Sequence, residues 1–176
     1  MRVRQWVVLL GAGALLGFQG CGNSADNSRP LTAARRAAVE DSVRQFTATV
    51  AHDVTQDGPI AWSKFFADGP EFFMAVDGKL AFADGQSAAK MMPEIARQFK
   101  HIELRWGNDM RLDALTENLC NAATSYTENI ELQPGVEGLQ GGMQSGYFTG
   151  VAENRNGHWQ FRNAHWSAPV APAKAP

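Results

Sequence analysis

The chain's closing segment carries side chains that could form a ligand site. Trp159, Phe161, Asn163, His165 and Ser167 occur at alternate positions, and an extended strand places alternate residues on one face. This face would begin with aromatic rings and end with an imidazole and a hydroxyl, which is typical of a half-apolar pocket with polar groups at its mouth. We predict that His165 is a general base or a donor that orients a ligand. In the alternative interpretation, His165 hydrogen-bonds a neighbouring backbone group.

A second pair of polar side chains lies in the strand predicted over about residues 119–132. Tyr126 has the same parity as Glu128, Cys120 and Ile130. If this face looks inward, the phenol and the carboxylate could bind a polar ligand head or transfer protons, because an apolar pocket moves the pKa of a carboxyl group towards neutrality. If it looks outward, both are ordinary surface or dimer-interface residues. Cys120 and Ile130 favour the inward alternative, and Glu128 favours the outward one.

Several large apolar side chains could either fill a core or line a cavity. The residues that we predict to contact a ligand are Trp62, Phe66, Trp106, Glu128, Trp159 and Asn163. No cluster supplies the three or four ligands of a zinc site, and no phosphate-binding glycine pattern or nucleophile elbow occurs. We therefore expect neither a metal nor a cofactor. No run of Lys and Arg is present either, which argues against a nucleic-acid partner.

The N-terminus has the pattern of a secretory signal. Arg2 and Arg4 precede an apolar run over residues 7–16, which is shorter than the roughly 20 residues that span a bilayer. The following Gly20-Cys21 resembles the lipobox of bacterial lipoproteins, which implies cleavage after residue 20 and a lipid on Cys21. Because the two residues before Gly20 depart from the lipobox pattern, cleavage by ordinary signal peptidase is the alternative.

The resemblance to lipoproteins implies an exported protein that is lipid-anchored in the bacterial cell envelope. Gly22 after the cysteine resembles the signal for sorting to the outer membrane. In a Gram-negative host this implies attachment at the outer membrane or at the periplasmic face of the envelope. Removal of residues 1–20 takes two of the 16 basic residues and leaves 18 acidic ones, for a net charge of −4. The remaining 156 of the 176 residues are enough for one domain.

The rest of the chain predicts an α+β domain. Residues 21–31 form a lipid attachment site and tether, and an apolar stripe after the predicted N-cap Thr32 indicates a long amphipathic helix. A short helix, a hairpin at Asp77-Gly78 and a third helix follow, the last kinked or split by Pro93. Strand patterns then continue to the closing hairpin, with a bend at Gly107-Asn108. Residues 169–176 are predicted to be a disordered tail.

The ordered combination of these elements resembles a known family. The hairpin of residues 72–78, Gly85, Gly146, Val151 and the run of residues 157–167 together resemble the NTF2-like superfamily, in particular its SnoaL-like and DUF4440-type branch, over residues 32–168. The resemblance implies a cone-shaped, cystatin-like α+β barrel, in which a curved antiparallel sheet wraps the long N-terminal helix and encloses a pocket. A homodimer through the sheet is also commonly implied.

Three functions are compatible with this resemblance, because fold alone does not give function. The first is binding of a small, mostly apolar ligand in the cone. The second is an isomerase or dehydratase with His165 as the base and Tyr126 as the oxyanion donor; its weakness is that no Asp lies on a clearly inward strand position, since Asp77 is a turn residue. The third is a non-catalytic dimeric interaction module.

Two structural outcomes would count against these hypotheses. A cone filled by Trp62, Phe66 and Trp159 would leave no room for a ligand. A sheet that placed His165 and Tyr126 on opposite faces would remove the predicted catalytic pair.

Overall fold

The computed structural model describes residues 30–169. The predicted signal, Cys21 and residues 170–176 of the predicted tail lie outside this range. No helix between residues 30 and 169 is long and apolar enough to cross a bilayer.

The long N-terminal helix forms as predicted. Helix α1 spans Ala33–Asp57, and the Thr32 hydroxyl caps it by accepting a hydrogen bond from the Arg35 amide. Its apolar stripe is buried against the sheet, and the residues concerned are Val43, Phe46, Val50 and Val54. The helix ends at Gly58, whose φ of 78° suits a residue without a side chain.

Two further helical segments complete the helical layer. A 3₁₀ helix spans Pro59–Lys64, and helix α2 spans Gly85–Ala96 with a capping box between Asp84 and Ser87. The predicted split of α2 at Pro93 does not occur. Pro93 lies in the last turn, where its missing N–H removes only one bond of the helical ladder.

Seven strands form one sheet in the order β2-β1-β7-β6-β5-β3, and β4 pairs with β5 beside β3. The strands are β1 Phe73–Val76, β2 Lys79–Phe82, β3 Phe99–Trp106, β4 Arg111–Thr116, β5 Leu119–Leu132, β6 Gly142–Arg155 and β7 His158–Ser167. All pairings are antiparallel except that of β1 with β7, which is parallel. The predicted α+β class is confirmed, but the curved sheet stays open because β2 and β3 are edge strands that do not pair with each other.

Two tryptophans fasten α1 across the inner face of the sheet. The Trp106 indole donates to the Thr47 carbonyl at 2.7 Å, and the Trp159 indole donates to the Ser42 hydroxyl at 2.8 Å. A buried aromatic cluster packs between the helices and the sheet. It includes Phe46, Trp62, Phe65, Phe66, Phe72, Phe148, Phe161 and Trp166.

Candidate functional site

The burial pattern of β5 shows which of its faces looks inward. Cys120, Tyr126 and Ile130 are all buried, and Glu128 is half-buried between the last two. The face that carries Tyr126 and Glu128 therefore looks inward, as the first of the two alternatives predicted. The phenol and the carboxylate lie two residues apart on the apolar wall of the cone.

Glu128 is the most chemically distinctive side chain on this wall. Its neighbours in register are Leu104 on β3 and Gln144 on β6. Burial raises the pKa of the Glu128 carboxyl to about 7. No side chain or backbone amide within residues 30–169 hydrogen-bonds or ion-pairs with the carboxylate. Glu128 can therefore either hold or release a proton near neutral pH.

Tyr126 supplies a protonated phenol beside this carboxylate. Burial raises the pKa of Tyr126 to about 12, with smaller contributions from the charges of Glu128 and Asp77. Gly146 makes room for the ring, since a Cβ there would lie 2.7 Å from the Tyr126 hydroxyl and 2.0 Å from the Ser167 carbonyl oxygen. Tyr126 is thus fitted to donate a hydrogen bond throughout the physiological pH range.

Two tryptophan rings lie beside Tyr126. The Tyr126 ring meets Trp166 edge-on at 4.6 Å between centroids, and Trp106 stacks on Trp166 at 5.6 Å. Trp106 also lies opposite Tyr126 in the pairing of β3 with β5. The predicted site residues Trp106, Tyr126 and Glu128 are therefore brought together, and Trp166 joins them.

Asp77 reaches the same region from a distant part of the sequence. It is in the turn between β1 and β2, with φ of 49°, and its amide donates to the Trp166 carbonyl at 2.9 Å. Its carboxylate accepts a hydrogen bond of 2.7 Å from the Ala168 amide. The sequence identified Asp77 only as a turn residue; the parallel pairing of β1 with β7 places it near Tyr126.

The predicted single face of β7 is wrong. Val151 pairs with Asn163 and Ala152 pairs with Phe161, so Arg162 is the extra residue of a β-bulge. Beyond the bulge Ala164 and Trp166 are buried on the inner face, whereas Asn163 and His165 lie on the outer one.

The bulge also separates the predicted catalytic pair. His165 is exposed on the outer face, and Tyr126 is buried on the inner face. The Asn163 carboxamide, predicted to contact a ligand, instead accepts a hydrogen bond of 3.2 Å from the Val151 amide. Both side chains therefore point away from Glu128, and proton transfer between His165 and Tyr126 loses its geometric basis.

The other predicted ligand residues lie in two places. Trp62 and Phe66 stack at 5.5 Å within the aromatic core, and Trp62 meets Trp166 edge-on at 5.4 Å. Trp159 lies apart from them, in an open groove of about 480 Å³ between α1 and the turn before β7, with Lys64 on its rim. Trp62 and Phe66 thus belong to the buried core cluster, and Trp159 packs against that cluster from the groove.

The other reactive side chains offer little chemistry. Burial raises the pKa of the Cys120 thiol to about 11, which keeps it protonated and unreactive. Within residues 30–169 no three His, Cys, Asp or Glu side chains are placed to hold a metal ion.

The sequence matches no protein-family model and no curated protein. The structure, in contrast, is similar to many solved structures. An NTF2-like superfamily protein from Salmonella enterica superposes with a TM-score of 0.62 at 13% identity, covering 78% of this chain and 96% of the other. A provisionally named scytalone dehydratase from Novosphingobium aromaticivorans gives 0.65 at 11% identity, over 79% and 89% of the two chains.

A hexachlorocyclohexane dehydrochlorinase from Novosphingobium barchaimii is also similar. It superposes with a TM-score of 0.58 at 15% identity, over 82% of this chain and 99% of the other. At these identities the likeness concerns the backbone architecture and leaves the chemistry of each site to its own residues. The long helix, the open curved sheet and these superpositions together show that the chain has the NTF2-like cone fold.

Proposed function

We propose that this protein binds a small, mostly apolar molecule against the inner face of its sheet, with Glu128 and Tyr126 holding the polar end of the ligand. The observation that carries the proposal is the state of Glu128, a half-buried carboxylate without a partner among residues 30–169. Partial burial of such a group lowers the stability of the folded protein, and a hydrogen-bond donor beside it would offset that loss. A ligand that supplies a hydrogen-bond donor would satisfy the carboxylate, while aromatic rings cover the apolar body.

The N-terminal sequence supports a location for this activity. We propose that Cys21 carries a lipid, which anchors the domain in the bacterial cell envelope, and that residues 22–31 are the tether. A basic region, a short apolar run and Gly20-Cys21 in that order support this assignment.

A second candidate function is proton transfer at the same wall. A carboxyl group whose pKa is about 7 is suited to act as a general base near neutral pH. In this mechanism Glu128 removes a proton and the Tyr126 hydroxyl stabilises the developing oxyanion. The dehydratase and dehydrochlorinase named above have the same fold, which is compatible with elimination chemistry but does not identify a substrate.

Native mass spectrometry of the full-length protein, extracted from the envelope of a bacterial host, tests the first proposal. We expect a reproducible added small mass on the wild type and its loss in Glu128→Gln. The matched control is Glu131→Gln, which removes an exposed carboxylate from the opposite face of β5 and should keep the ligand. A wild-type protein without added mass, or equal loading of Glu128→Gln, would contradict the ligand proposal.

The same spectra report the anchor, because a lipid adds mass to Cys21 and Cys21→Ser should lack it.

Once a ligand is identified, turnover separates the two candidate functions. A catalytic Glu128 predicts conversion of the ligand by the wild type and none by Glu128→Gln. Unchanged ligand in both proteins would exclude the proton-transfer mechanism for that compound.

A further inference from the structure

We propose that the open groove beside Trp159 is a second binding site, which accepts a neutral saccharide. This Trp159 groove of about 480 Å³ lies between α1, the end of the 3₁₀ helix and the turn before β7. Its volume is typical of a small-molecule site. Neither Glu128 nor Tyr126 lines it, so binding here would be independent of the ligand proposed above.

The floor of the Trp159 groove is aromatic and is held in place by the fold. Phe46 and Phe65 are almost completely buried there and meet edge-on at 5.9 Å between centroids. Trp159 is half-buried, and its indole N–H donates to the Ser42 hydroxyl at 2.8 Å, which fixes the ring relative to α1. Within residues 30–169 no other aromatic ring stacks on Trp159. Trp159 therefore presents apolar ring surface in the groove, on which the C–H face of a pyranose ring can pack.

Neutral polar side chains surround this floor. Ser42, Gln45 and Thr49 lie three and four residues apart, so they share one face of α1, and Gln160 lines the groove from β7. Within residues 30–169 the carboxamides of Gln45 and Gln160 make no hydrogen bond of their own. A carboxamide both donates and accepts hydrogen bonds, and so does each hydroxyl group of a sugar. The rim of the groove can therefore bind several sugar hydroxyls at once.

The charges at the Trp159 groove are already paired. Among the described residues Lys64 is the only Lys, Arg, Asp or Glu that lines it. Its ammonium group lies 2.7 Å from the Asp57 carboxylate and 3.3 Å from that of Asp53. His158 adds an exposed imidazole, whose ring nitrogens can also bond hydroxyl groups. An anionic ligand would have to compete with two carboxylates for Lys64, whereas a neutral saccharide disturbs no ion pair.

Saturation-transfer NMR of the full-length protein with two neutral β-linked disaccharides, cellobiose and N,N′-diacetylchitobiose, tests this site. We expect at least one of them to bind with a dissociation constant of about 1 mM or lower. The strongest transfer should reach the ring C–H protons, which would lie on the indole. Sorbitol offers hydroxyl groups without a flat ring, and it should bind about tenfold more weakly, because about 50 Å² of buried apolar surface is worth that factor.

Two variants place the binding in the Trp159 groove. Gln45→Ala should weaken disaccharide binding about fivefold, the equivalent of one hydrogen bond. Gln56→Ala is the matched control, because it truncates an exposed glutamine of the same helix outside the groove, and it should bind as the wild type does. Trp159→Ala should abolish binding. Thermal melting confirms that each variant is folded, and Gln45→Ala leaves the contact between Trp159 and Ser42 in place.

Binding of neither disaccharide, or equally tight binding of sorbitol, would overturn the saccharide site. Equal affinities of Gln45→Ala and Gln56→Ala would overturn it as well. Glu128→Gln should bind the disaccharides as the wild type does, since Glu128 does not line the groove. The saccharide site and the proposed pocket can therefore fail separately, because the native mass spectrum of Glu128→Gln decides only the pocket.

Discussion

At the scale of single residues, Glu128 is distinctive because its half-buried position disfavours the ionised form of its carboxyl group. Burial alone raises the pKa of its carboxyl group to about 7, compared with 4.5 for an ordinary Glu. Between these two pH values the folded protein therefore keeps the Glu128 proton, which the unfolded chain has already released. It follows that ionisation of Glu128 destabilises the fold progressively as the pH rises from about 4.5 to 7.

We predict that Glu128→Gln stabilises the protein at pH 8, because it removes the ionised carboxylate from the apolar wall. A shift of about 2.5 pKa units gives an upper limit of about 3 kcal/mol in the free energy of unfolding. At pH 4 the variant and the wild type should be equally stable, since the carboxyl group is then protonated in both states. Urea denaturation at the two pH values measures the difference.

The control for this prediction is Glu131→Gln, which alters an exposed carboxylate paired with Lys100 and should change stability little at either pH. A Glu128→Gln effect of the same size at pH 4 and pH 8 would show that ionisation is not its cause.

At the scale of elements, the β-bulge at Arg162 decides which side chains of β7 face the cone. The extra residue reverses the parity of the strand, so Phe161 and Trp166 both point inward although five positions separate them. The Asn163 carboxamide then lies on the outer face, where its oxygen accepts a hydrogen bond from the Val151 amide at the bulge.

We predict that Asn163→Ala destabilises the bulge by about 1 kcal/mol, the usual value for loss of such a hydrogen bond. Hydrogen exchange should accelerate severalfold at the Val151 amide and little elsewhere in β6. His165→Ala is the matched control, since His165 is exposed on the same outer face two residues away. Unchanged exchange at Val151 in Asn163→Ala would show that the carboxamide does not hold the bulge.

At the scale of the whole molecule, the outer face of the sheet is open to another copy of the chain. Thr149 on β6 and His165 on β7 are exposed and lie opposite each other, and Tyr147 beside them is 39% exposed. The resemblance to the NTF2-like superfamily implies a homodimer through this surface. We propose that such a dimer forms, which would also serve the third function considered, an interaction module.

We predict that Thr149→Arg converts the proposed dimer to a monomer, because each copy would have to bury an arginine on the outer face of the sheet. Analytical ultracentrifugation of the wild type and the variant measures the change in mass. Gln56→Arg adds the same charge to an exposed position of α1 and should remain dimeric. A monomeric wild type would show that the outer face does not hold a second copy under these conditions.

Much of the element order follows from the sequence, because it depends on local patterns. The stripe of Val43, Phe46, Val50 and Val54 predicts α1 by its spacing alone. The hairpin turns at Asp77-Gly78 and Asn156-Gly157 are predictable because both residues of each pair adopt the positive φ that these types tolerate. Each of these signals lies within a few residues of the structure that it forms.

The site depended on contacts that no local pattern records. Alternation along β5 grouped Tyr126 with Glu128, but only the packing of α1 and β3 decided that this face looks inward. No residue type marks the bulge at Arg162 clearly in the sequence. Strict alternation along β7 was therefore a wrong prediction beyond Arg162, and it assigned His165 to the wrong face. Asp77 lies close enough to raise the pKa of Tyr126 only because β1 pairs in parallel with β7. The sequence by itself thus determined the elements, whereas the tertiary structure decided which charges share one apolar wall, because burial and pKa depend on neighbours that are distant along the chain.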